Sequence, residues 1–101
     1  MKFFIENKNE TVISFARKIG YRPFSVSADD EYSLIKPLSQ NNYPRFHIYV
    51  KKEGDIFNIN LHLDQKQPSY KGSGAHDHSG EYEGDIVENE AERIKKQIAE
   101  I

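Results

Sequence analysis

Histidine carries the strongest chemical signal in this chain. All four copies, His47, His62, His76 and His78, fall in the stretch from position 47 to 78. Asp64 lies two residues after His62, and Glu81 and Glu83 follow the His76-Asp77-His78 segment. Neutral imidazoles and carboxylates are ligands for divalent transition metals, and two or three histidines with one carboxylate form known catalytic metal sets. With no cysteine in the chain, a transition metal would be held by His, Asp or Glu alone. The spacing therefore predicts a site for Zn or Ni built from His62, His76, His78 and Asp64. His47 would take the place of Asp64 as the fourth ligand or serve as its support. The plainer alternative makes His47 and His62 half-exposed sheet residues bonded to Asn58, Asn60 or Tyr49, with the loop pair solvated.

A second chemistry uses overlapping residues. Arg45, His47, His62, Lys66 and Lys71 would offset phosphate charge, with imidazole as proton donor or acceptor. Tyr43, Tyr49 and Tyr70 would stack on unpaired bases. Lys71-Gly72-Ser73-Gly74 offers backbone amides but lacks the Gly-Lys-Ser/Thr ending of a P-loop. Against an RNA partner stands the charge balance, 14 basic to 16 acidic residues for a net charge of -2. A third reading is a protein-interaction or homodimer surface, with Tyr49, Asn58 and Asn60 on a sheet face that pairs with a second copy. The ligand-binding face common to these readings comprises Arg45, His47, Tyr49, Asn58, Asn60, Lys66, Tyr70 and Lys71. No catalytic residue is assigned.

The elements that must position these groups follow from periodicity. Phe46, Ile48 and Val50 alternate with Arg45, His47, Tyr49 and Lys51. Phe57, Ile59, Leu61 and Leu63 alternate with Asn58, Asn60, His62 and Asp64. Glu53-Gly54 stands where a two-residue hairpin turn would fall. Alternate side chains point to opposite faces, so the apolar set of both strands shares the buried face and the polar set shares the other. His47 and His62 thus lie on one polar face.

Upstream, Lys2–Glu6 reads as a strand, with Asn9 as a helix N-cap. Val12, Phe15, Ala16 and Ile19 form a helical stripe that Gly20 ends. Residues 24–28 and Tyr32–Lys36 read as strands around the polar turn 29–31. Residues 65–83 lack any period and are read as a long functional loop folding over the sheet. Val87, Ala91, Ile94, Ile98 and Ile101 mark a closing helix, with Asp85 and Glu88 as a capping-box-like start. The expectation is one α+β domain over residues 1–101, ordered β-α-β-β-β-β-α: an antiparallel sheet of four to five strands with two helices on one face. The apolar run Phe3-Phe4-Ile5 is too short for a signal peptide or a membrane span, so no membrane association and a cytoplasmic location are the default expectations.

Four segments carry a resemblance: Tyr43-Pro44-Arg45-Phe46-His47, Leu61-His62-Leu63-Asp64-Gln65-Lys66, Pro68-Ser69-Tyr70-Lys71-Gly72 and His78-Ser79-Gly80-Glu81-Tyr82. Together they resemble a group of small bacterial proteins, with a looser match at Gly20-Tyr21-Arg22-Pro23, and that resemblance implies no particular function. In layout alone the chain is similar to HicA-type ribonuclease toxins. Those enzymes depend on a sheet histidine in a Gly-Ser-His segment, and no predicted strand here contains one.

Overall fold

The computed structural model describes residues 1–65, 80–81 and 84–99. The chain runs β1 (Lys2–Glu6), α1 (Val12–Ile19), β2 (Arg22–Val26), β3 (Tyr32–Pro37), β4 (Arg45–Glu53), β5 (Ile56–Asp64), β6 (Gly80–Glu81) and α2 (Asp85–Ala99). Five strands form one antiparallel sheet in the order β1-β5-β4-β3-β2, and the two-residue β6 also pairs with β5. Except for β6, this is the expected α+β architecture.

Alternation dictates what the helices cover. In the β4–β5 register Phe46 pairs with Leu63, Ile48 with Leu61 and Val50 with Ile59. All six are buried, in one cluster with Val12, Phe15, Ala16 and Ile19 of α1 and Val87, Ala91 and Ile94 of α2. The Phe15 and Phe57 rings meet at 4.9 Å between centroids, joining α1 to the sheet. Both helices therefore occupy the apolar face. Burial of each large apolar side chain in this layer contributes on the order of 2–3 kcal/mol.

Several local expectations shift. Thr11, not Asn9, caps α1: its side chain accepts from the Ser14 amide, while Asn9 has φ of 64° in the preceding turn. A cap needs extended backbone, which Thr11 has and Asn9 lacks. Gly20 ends the helix at φ of 84°, as expected. The β4–β5 turn residues are Gly54 and Asp55, one position later than read, because Glu53 pairs with Ile56. Positive φ falls on Gly54 alone of the two, the pattern of a type II′ turn. In α2, the Glu88 amide donates to the Gly84 carbonyl, so Asp85 is the first helical residue and not the cap. Ile101 lies outside the described residues. Part of the segment 65–83 is strand: Gly80 pairs with Asp64 and Glu81 with Leu63. Two residues are too few to show a period in sequence.

Candidate metal centre on the open sheet face

The face away from the helices is a grid set by register. Each row holds cross-strand partners, and rows lie about 7 Å apart because alternate residues share a face. His62 of β5 sits directly opposite His47 of β4, with Ile35 of β3 beyond. The next row places Asp64 opposite Arg45. The preceding row holds Asn60, Tyr49 and Ser33. Direct pairing decides what shared orientation alone leaves open, and the two imidazole centroids are 4.8 Å apart.

Asp64 gathers this group. Its Oδ1 lies 2.9 Å from His62 Nε2, and its Oδ2 lies 3.3 Å from both His47 Nδ1 and Arg45 Nε. Burial pushes the Asp64 carboxyl up, but hydrogen bonds from His47 and His62 outweigh it and hold the group well below the usual carboxylate range. The group is an anion in the folded protein. An ionised carboxylate only accepts, so His47 must present Nδ1–H to it, and its other nitrogen, Nε2, meets Ser33 Oγ at 2.5 Å. Arg45 is held between the Tyr43 and Phe24 rings, 4.5 and 5.3 Å from their centroids. That cation–π setting fixes the guanidinium against the carboxylate.

The polar face is not half-exposed at its centre, contrary to the plainer expectation. His47, His62 and Ser33 retain only 7, 5 and 6 % of their accessible surface. His47 bonds Ser33 and Asp64 rather than the expected asparagines, and His62 meets Asp64. The Tyr49 ring lies tilted against His47 at 4.5 Å between centroids and stacks on His62 at 5.9 Å.

Two chemistries fit such a cluster. Ser33–His47–Asp64 has the connectivity of a nucleophile relay, Oγ to Nε2 and Nδ1 to carboxylate. The burial of Ser33 within a central strand keeps Oγ from an acyl substrate, so the contact orients His47. Metal coordination suits the geometry better. One donor atom each from His47, His62 and Asp64 lies within 4.8 Å of the others. Donors around a tetrahedral ion with bonds near 2.0–2.1 Å are roughly 3.4 Å apart, so an ion enters with side-chain shifts of a few tenths of an ångström to about an ångström.

Of the predicted ligands, the structure brings together His62 and Asp64, and adds His47 as their equal. His76 and His78 lie outside the described residues, as do Lys66, Tyr70 and Lys71. Arg45, Tyr49 and Asn60 stand in the rows next to the histidine pair, whereas Asn58 lies one row farther along the strands. Ser33 was missed, because a serine between Tyr32 and Leu34 carries no spacing signal. Among the described residues, no helix is long and apolar enough to cross a membrane. Comparison with family models, curated proteins and solved structures finds no match for this chain.

Proposed function

We propose that the protein binds a divalent transition metal, Zn²⁺ or Ni²⁺, through His47 Nδ1, His62 Nε2 and the Asp64 carboxylate. The observation that supports this reading is the convergence of two cross-strand histidines and one ionised aspartate within coordinating distance. Imidazole nitrogen suits both ions, and three protein ligands leave a position for water or a small ligand.

Neighbouring groups have definite parts to play. When the ion takes His47 Nδ1, the ring proton resides on Nε2 and donates to Ser33 Oγ. A hydroxyl can reverse from donor to acceptor, so Ser33 accommodates both the free and the coordinated imidazole. Arg45 on Oδ2 fixes the rotation of the carboxylate. Protons compete with the metal for imidazole, so affinity falls as the solution is acidified.

The test is calorimetric titration of the EDTA-treated, desalted full chain with Zn²⁺ and with Ni²⁺. One ion per chain is expected. The His62→Ala and Asp64→Asn variants should each weaken binding by about tenfold or more, the scale of losing a ligand or its support. Binding that is absent, or unchanged in both variants, would overturn the reading.

A further inference from the structure

Beside the histidine cluster the open face carries a groove of about 430 Å³. That volume is in the range of small-molecule sites. Its floor and walls come from two adjoining rows of the grid: Phe4, Asn58 and Lys51 in one, Lys2, Asn60 and Tyr49 in the other. The arrangement is regular. Asn58 and Asn60 run down the middle on β5, the rings of Phe4 and Tyr49 stand at two diagonal corners, and Lys2 and Lys51 stand at the other two. At strand and residue spacings of about 4.8 and 3.4 Å, the patch measures roughly 10 by 7 Å, the footprint of one small ring system.

Three observations narrow the occupant. Phe4 is 66 % exposed on a strand, a large ring left in water beside polar neighbours. Neither Lys2 nor Lys51 has an ion-pair partner among the described residues. Of the two lining carboxylates, Glu53 already accepts from Asn58, and Glu31, next to Tyr32 in the register with Val50, stands at the Lys51 end of the groove. A planar ring would lie over the Asn58 amide and against Phe4, its anionic group reaching Lys51 at the far end of the same row, with Glu31 accepting from a hydroxyl or amine of the ligand.

We propose that this groove binds a small planar-ring anion, such as a nucleoside monophosphate or an aromatic carboxylate. The site is independent of the metal reading. Tyr49, packed against both imidazoles and lining the groove, makes the two sites neighbours.

The experiment uses the metal-free full chain, followed by NMR amide shifts during titration with adenosine monophosphate, 4-hydroxybenzoate, adenosine and inorganic phosphate. At least one of the two ring anions should bind and perturb residues 2–4, 49–51 and 58–60. Adenosine and phosphate, each lacking one half of the recognised chemistry, should bind about tenfold more weakly or worse. Lys51→Ala and Phe4→Ala change side chains outside the core and leave the fold intact, and each should weaken binding about tenfold, in line with a charged hydrogen bond or a base-stacking contact. Preference for the monophosphate or for the carboxylate assigns the source of the anion. His62→Ala should lose metal while retaining the ring anion, which separates this proposal from the metal reading. No shift with either ring anion at 10-millimolar order, binding indifferent to both substitutions, or shifts that track only self-association of the chain would overturn it.

Discussion

Ser33 and Glu90 show how much depends on one buried polar atom. Ser33 holds the nitrogen of His47 that faces away from Asp64, so it acts through His47 and touches no metal. Ser33→Ala is expected to lower Zn²⁺ affinity about tenfold with little loss of fold, and Ser33→Thr, which keeps the hydroxyl, to restore most of it. Equal affinity for wild type and the alanine variant, measured by calorimetry, would remove Ser33 from the site. Glu90 works on the other side of the sheet. Only 6 % exposed, it accepts from Tyr21 at 2.6 Å and from Arg93 at 2.8 Å, and Arg93 also donates to the Ile19 carbonyl. Burial raises the Glu90 pKa, but the bonds from Arg93 and Tyr21 prevail and hold it below the ordinary glutamate value. A carboxyl lowered on folding contributes stability above its unfolded pKa of about 4.3, and that contribution is lost as pH falls through the folded value. Glu90→Gln should therefore cost about 1–2 kcal/mol at neutral pH and make the remaining stability less sensitive to acid below about pH 4. Denaturation midpoints at pH 7 and pH 3 check both parts.

At the scale of elements, the hairpin and α1 are legible because their periods are long and clean. β4 alternates from Arg45 to Lys51 and β5 from Phe57 to Asp64, and α1 has one stripe and one glycine stop. Caps and turns were displaced by one or two positions, because they depend on backbone angles that several local sequences allow. Asn7 is the clearest example. It is 2 % exposed; its side chain donates to the Gly54 carbonyl at 2.9 Å and accepts from the Asn9 amide at 2.8 Å, and its own amide donates to Asp55. One asparagine thus ties the β1–α1 connection to the β4–β5 turn, 47 positions along the chain. Asn7→Ala should destabilise the protein by about 2 kcal/mol by leaving buried backbone groups unpaired. Urea unfolding should show a lower midpoint at an unchanged slope.

For the molecule as a whole, a ligand that binds only the native state raises its stability by mass action. At a Zn²⁺ concentration 100-fold above Kd the gain is about 2.7 kcal/mol. For a domain of this length that corresponds to a rise in Tm of roughly 10–20 °C. EDTA should reverse the shift, and Asp64→Asn should show little of it. A wild-type Tm indifferent to both metal and chelator would count against a native metal site. The two faces of the sheet differ in kind: helices and apolar core lie on one side, and the polar grid with the candidate metal centre lies on the other.

By itself the sequence determined which residues share a face. A period of two sends Phe46, Ile48, Val50, Leu61 and Leu63 to the core and leaves His47, His62 and Asp64 together on the opposite side. Alternation is local physics, fixed by the pleat of each strand. Contact is not local. Only the tertiary structure decided that His47 and His62 are direct partners, because register depends on a turn at Gly54–Asp55 that a reading one residue earlier would have misplaced. Only the pairing of β3 with β4 delivered Ser33 to His47, since no spacing along the chain links positions 33 and 47. Among the described residues the candidate metal set is therefore a trio in which cross-strand geometry makes His47 a full member beside His62 and Asp64, while His76 and His78 lie outside the described residues.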